Sequence, residues 1–153
     1  MKNQSQLRYP VTGGDSPSQY PVEAKAVETR RTVLYVEDHV DNVMLMESIF
    51  EELEDVTLIC VYSAEQGIDR IKSDPPDMVL MDINLPGMDG FTALKLMKAS
   101  MKTWDIPVIA ITSNATPGDI EAGKIAGFDA YVTKPLDVSK LIGIIQDTFE
   151  SYA

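Results

Sequence analysis

Met78-Val79-Leu80-Met81-Asp82 is an unbroken apolar run that ends in a carboxylate, and the turn-rich Asn84-Leu85-Pro86-Gly87-Met88-Asp89-Gly90 follows directly. Three other runs end in polar residues the same way. Val33-Leu34-Tyr35-Val36 meets Glu37-Asp38, Ile106–Ile111 meets Thr112, and Tyr131-Val132-Thr133 meets Lys134-Pro135. Short, continuous apolar runs suit strands covered on both faces. In an open parallel sheet the carboxyl ends of the strands share one edge, and ligands bind there. Three acids, a hydroxyl and an ammonium would converge on that edge, a set able to bind a divalent cation and accept a phosphoryl group.

From Thr32 onward such runs alternate with helical patterns, which predicts an α/β domain with a parallel sheet. Strands are expected near 32–37, 57–61, 78–82, 106–111 and 129–133, and helices near 41–53, 64–73, 90–102, 117–126 and 138–150. Ser63 with Gln66 reads as a capping box for the second helix. Thr116 with Pro117 gives the fourth a cap and a preset first turn, and Asp137 can cap the fifth. On the fifth, Val138, Leu141, Ile142, Ile145 and Phe149 form an apolar stripe for the core. The first helix is expected to turn Leu45, Met46, Ile49 and Leu53 inward. Trp104 reads as a packing plug or a partner contact.

Residues 1–31 show neither periodicity and are rich in Pro, Gly, Ser and Gln, so they are read as a flexible tail preceding a domain over 32–153. Tyr9-Pro10-Val11 recurs as Tyr20-Pro21-Val22, which in a linker reads as coincidence rather than as docking segments. The chain of 153 residues is one domain's worth. No apolar run approaches the roughly 18 residues of a membrane span. The single cysteine, Cys60, cannot form an internal disulfide and reads as a small buried hydrophobe. A reducing cytoplasm is the expected location. The formal charge of −11 argues against a nucleic-acid partner, which attracts basic surfaces.

Glu37, Asp38 and Asp82 placed together would repel, and burying unpaired charge is costly. A divalent cation removes that penalty, and oxygen-only ligands point to Mg²⁺ or Mn²⁺. The lone His39 makes zinc a poor candidate and suits a partner-facing or capping position. A carboxylate can attack phosphorus to give an acyl phosphate, and Asp82 is the preferred nucleophile. Phosphoryl transfer asks mainly for positioning and charge stabilisation, which a metal, Lys134 and the Thr112 hydroxyl could supply.

The pattern resembles the receiver domains of two-component response regulators over about 120 residues. It rests on Glu37-Asp38, Met81-Asp82-Ile83-Asn84-Leu85-Pro86-Gly87-Met88-Asp89-Gly90, Ile111-Thr112-Ser113-Asn114-Ala115 and Thr133-Lys134-Pro135. The separations of 44 residues from Asp38 to Asp82, 30 from Asp82 to Thr112 and 22 from Thr112 to Lys134 agree with that family. The stretch from Pro107 to Pro135 looks especially like receivers of hybrid histidine kinases.

The resemblance implies a doubly wound, flavodoxin-like (βα)5 fold with strand order 2-1-3-4-5. It implies that Asp82 takes a phosphoryl group from a phosphohistidine of a sensor kinase or histidine phosphotransfer protein. Glu37, Asp38, Asp82 and the Asn84 backbone carbonyl would hold Mg²⁺, Lys134 and Thr112 would contact the phosphoryl oxygens, and the bond before Pro135 would be cis. Tyr131 matches the switch aromatic that follows Thr112. Val40, Val43 and Met44 on the first helix are surplus to its inward set and, with His39 and Leu136, read as a rim for docking a histidine-bearing helix beside the site. Helix 4, strand 5 and helix 5 offer a face able to dimerise. Such a domain is not an enzyme beyond its own phosphotransfer and autodephosphorylation, and it would signal by protein contact, as a stand-alone regulator without DNA-binding output. Ser113 departs from the commoner Ala or Gly, and Asn84 and Asn114 occupy positions that bear on acyl-phosphate lifetime.

Two other readings compete. A Mg²⁺-dependent aspartyl-phosphate phosphatase would typically show Asp-x-Asp, whereas Asp82-Ile83-Asn84 lacks the second acid. A phosphorylation-independent module of the same fold has no need of an intact Glu37, Asp38, Asp82, Thr112 and Lys134.

Overall fold

A computed structural model describes residues 30–152. The tail expected over 1–31 lies almost wholly outside them, and so do both Tyr-Pro-Val segments. Arg31 is already the first residue of a strand.

Five parallel strands, β1 (Arg31–Val36), β2 (Val56–Val61), β3 (Met78–Asp82), β4 (Val108–Thr112) and β5 (Ala130–Thr133), lie in the order β2-β1-β3-β4-β5. Five helices alternate with them: α1 (Val40–Phe50), α2 (Ala64–Ser73), α3 (Gly90–Lys98), α4 (Pro117–Ala126) and α5 (Val138–Ser151). This is the doubly wound, flavodoxin-like arrangement expected from the sequence. β3 and β4 are buried at every residue, which is why they read as continuous apolar runs rather than alternating ones.

Alternate residues of each strand feed two cores. On one face Val33, Tyr35, Met78, Leu80, Ile109 and Ile111 pack under α1 and α5 through Val43, Met46, Ile49, Leu141 and Ile145. On the other, Leu34, Val36, Val79, Met81, Val108 and Ala110 pack under α2 and α3 through Ile68, Ile71, Leu94 and Met97, with Phe128 beside them.

Several local expectations shift. α1 turns Val43, Met46, Ile49 and Phe50 inward and leaves Leu45 45% exposed. Val43, expected in the docking rim, is therefore core, and Leu45, expected in the core, faces out. α1 stops at Phe50, short of residue 53, because Glu51, Glu52, Glu54 and Asp55 crowd its negative end and no basic residue sits in its last turn. α3 stops at Lys98, where the buried Thr103 hydroxyl donates to the Met97 carbonyl at 2.7 Å. β4 begins at Val108, just after Pro107, which has no N–H to give a ladder. Trp104 is 54% exposed and is not a plug. Val138, the first residue of α5, is exposed rather than part of the stripe.

The caps form largely as read. Ser63 accepts from the Gln66 N–H, but the Gln66 side chain accepts from Tyr62 rather than from Ser63. Thr116 and Asp119 form a full capping box on α4, and Asp137 accepts from the Lys140 N–H. Cys60 is half-buried, and burial, then the nearby Glu47 charge, pushes its thiol up to about 11. Among the described residues no helix is long and apolar enough to cross a membrane.

Candidate phosphoryl and metal site

The sheet register assembles the site. Val36 pairs with Met81, Asp82 with Ile111, and Thr112 with Thr133. Glu37 and Asp38 thus leave β1 beside Asp82, while Thr112 and Lys134 leave β4 and β5 on the same edge. The Lys134 N–H donates to the Thr112 carbonyl at 2.8 Å, and the Lys134–Pro135 peptide is cis.

Lys134 Nζ bridges Glu37 Oε1 at 2.8 Å and Asp82 Oδ2 at 3.0 Å. Glu37 is 0% and Asp82 3% exposed, so the ammonium offsets charges that water cannot reach. Glu37 is further saturated. Its Oε1 also accepts from the Tyr35 hydroxyl at 3.0 Å and Asn42 Nδ2 at 3.1 Å, and its Oε2 from the His39 N–H at 3.2 Å. Asp82 Oδ1 accepts from the Asn84 N–H at 3.0 Å.

These contacts set the titration of the cluster. Burial works against the Glu37 carboxylate, but the Lys134 and His39 hydrogen bonds and the Lys134 charge outweigh it and hold its pKa below the usual range. For Asp82, burial wins: with the Glu37 charge alongside, its pKa is raised despite Lys134 and the Asn84 N–H. Burial alone would lower Lys134, yet its two carboxylate partners raise it, so it stays charged. Burial and then the Glu37 charge push the Tyr35 phenol far above its ordinary value, so Tyr35 remains a hydrogen-bond donor.

Carboxylate oxygens of Glu37, Asp38 and Asp82 lie within 4.8 Å of one another. Asp38 Oδ1 is buried and has no hydrogen-bond partner. A buried, orphaned carboxylate oxygen beside two other acids fits a hard divalent cation, which takes oxygen ligands. Thr112 is 2% exposed; its Oγ1 donates to the Asn114 carbonyl at 3.2 Å and accepts from the Asn114 N–H at 3.1 Å. Asn84 Nδ2 lies 3.4 Å from the same oxygen.

The remaining expected residues lie around this centre. Tyr131 is half-buried, stacked edge-on against Phe128 at 6.0 Å between ring centroids. His39 occupies the N-cap of α1, but its side chain caps nothing. Val40 and Met44 are 59% and 61% exposed on α1, and Leu136 is half-buried against the α1–α5 core. Tyr35 and Asn42 were missed in the sequence. The strand period carries a signal for the first: Tyr35 and Glu37 are two apart on one face, and a buried phenol needs a partner.

Comparison with known proteins agrees with this geometry. The model of the response regulator receiver domain matches residues 33–146. Over 122 residues the chain is 34% identical to the polar-differentiation response regulator DivK of Brucella ovis, covering 80% of this chain and 95% of that one. Over 114 residues it is 33% identical to the signal transduction histidine-protein kinase BarA of Escherichia coli, covering 74% of this chain but 12% of that protein. The chain thus spans only a small part of the kinase. The receiver domain of the sensor histidine kinase PA1611 from Pseudomonas aeruginosa, solved with a magnesium ion coordinated in its active site cleft, superposes with a TM-score of 0.72 at 30% identity over 79% of this chain and 98% of that one. A response regulator from Chloroflexus aurantiacus shares the fold at a TM-score of 0.75 and 24% identity, over 79% of this chain and 98% of that one. A family match across most of the chain, joined to relatives above 30% identity, leads to one conclusion: the chain belongs to the response regulator receiver domain family.

Proposed function

We propose that Asp82 accepts a phosphoryl group from a phosphohistidine, with Mg²⁺ held by Asp38, Asp82, Glu37 and the Asn84 backbone carbonyl. The carrying observation is the cluster itself: a buried Asp82 bridged to Glu37 by Lys134, beside the unpartnered Asp38 oxygen. When bound, the cation supplies charge stabilisation for the transferring group. In the transfer an Asp82 oxygen attacks phosphorus as the bond from phosphorus to the donor imidazole breaks. Lys134 then turns from the carboxylates to a phosphoryl oxygen. Thr112 leaves Asn114 and donates to another, and Tyr131 moves into the space vacated.

Receiver domains interact with histidine kinases. For the donor of this chain, His39, Val40, Met44 and Leu136 form the docking rim, with Val43 excluded by its burial. Output is phosphorylation-dependent contact with a protein partner, through the face of α4, β5 and α5, which is also where two copies would pair. The phosphatase reading is disfavoured because Asn84 stands where a second acid would act, and its side chain points to Thr112.

Intact mass after incubation with acetyl phosphate and Mg²⁺ tests the assignment. The wild type is expected to gain one phosphoryl group that Asp82→Asn does not. An acid-stable adduct on Asp82→Asn would overturn it.

A further inference from the structure

The loop between β3 and α3 carries Asn84, and its middle is tied to a different helix. Glu65, in the first turn of α2, accepts from the Met88 N–H through Oε2 at 3.2 Å, a bond spanning 23 residues of sequence. Gly87 beside it has φ +76, which favours glycine, and a Cβ there would sit 3.0 Å from the same oxygen, so the carboxylate would have to shift to keep its approach to the loop. Glu65 is itself aimed by its surroundings: Ala64 is fully buried under the sheet and Ser63 caps the helix. The two ends of the loop are fixed independently, by the Asn84 N–H on Asp82 and by Asp89 capping α3 through the Thr92 N–H at 2.8 Å. Leu85 is buried in the core shared with α2 and α3 and Met88 packs against it; Glu65 adds a hydrogen bond from another element to the backbone between those ends.

We propose that Glu65 is a positioning residue for the phosphoryl site. By latching Met88, it keeps the loop from drifting off Asp82 and so holds the Asn84 backbone where a cation can use it. This deepens the reading above and rests on it. The hydrogen bond, not the charge, performs the task, because the acceptor oxygen meets a backbone N–H.

The test uses the full chain and its Glu65→Ala, Glu65→Gln and Asp82→Asn variants, titrated with Mg²⁺ by NMR while amide exchange is followed. Glu65→Ala is expected to speed exchange at Met88 and weaken Mg²⁺ binding by about three- to tenfold, the size of one ordinary, exposed hydrogen bond. Glu65→Gln keeps an acceptor and is expected to restore both, with unchanged thermal unfolding confirming the fold in each variant. Unaltered Mg²⁺ affinity in Glu65→Ala, or Glu65→Gln behaving like Glu65→Ala, would overturn the latch while leaving the receiver reading intact. A wild type that binds no Mg²⁺ would overturn both.

Discussion

Tyr152 closes α5 by donating its hydroxyl to Asp129 Oδ1 at 2.6 Å, while Asp129 Oδ2 accepts from the Val108 N–H at 2.8 Å. One carboxylate so ties the chain after α5 to the start of β4. The bond to Asp129, then burial, pushes the phenol from 10.0 to about 12. An acid whose folded pKa is raised keeps its full stabilisation below the unfolded value. As pH climbs from 10 towards 12 the unfolded phenol ionises first, and stability is lost. Urea midpoints measured from pH 8 upward are expected to fall more steeply for the wild type than for Tyr152→Phe. Parallel curves would remove Asp129 as the cause. Nothing in the sequence signalled this pair, because Asp129 and Tyr152 are brought together only by the packing of α5. Asp82, Asp38, Thr112 and Lys134 were legible for the opposite reason: each ends an apolar run, and strand ends share an edge in any parallel sheet. The Val43 and Leu45 exchange on α1 shows where such reading fails. Four consecutive apolar residues, Val43 to Met46, leave the phase of a helix open until the sheet beneath it is known.

At the level of elements, α4 and β5 meet through a residue that is absent rather than present. An alanine Cβ at Gly123 would lie inside the Tyr131 ring, 2.8 Å from Cδ2 and 3.1 Å from Cζ, so the ring rests against bare helix backbone. Gly123→Ala gains about 1 kcal/mol of helix propensity but forces a ring displacement costing roughly 1–3 kcal/mol. The variant is expected to be less stable by about 1 kcal/mol in urea unfolding and to move the Tyr131 ring resonances. Unmoved resonances would show that the ring does not rest there. The N-terminus of α4 was readable, since Thr116-Pro117 followed by Asp119 specifies a capping box by local chemistry alone. Helix ends were less so. α1 stops where acids accumulate and α3 where Thr103 folds back on Met97, a contact that only the turn after α3 creates.

Across the whole molecule, Lys134 runs from the end of β5 to Glu37 at the end of β1, past the carboxyl ends of β4 and β3. Lys134→Ala would leave Glu37 and Asp82 buried with neutral hydrogen-bond donors but no cation, at a cost of about 3 kcal/mol. Urea unfolding should show that loss in a chelator, and saturating Mg²⁺ should return more stability to the variant than to the wild type, because the cation then replaces the missing ammonium. Equal gains would mean that Lys134 does not neutralise the site. The parallel α/β alternation was legible from the residues themselves, whereas the strand order came from the family resemblance, because alternation narrows the arrangements without choosing among them. The saturation of Glu37 was not legible, since its donors come from a strand, a helix and the far side of the sheet. The bridge also dictates an order of arrival. Three carboxylates against one ammonium leave two formal negative charges in a cleft where Glu37 and Asp82 are buried and Asp38 is half-buried. Under the proposed function a phosphoryl dianion approaching that cleft would be repelled, whereas a divalent ion entering first would leave it neutral, so the metal would have to arrive before the donor.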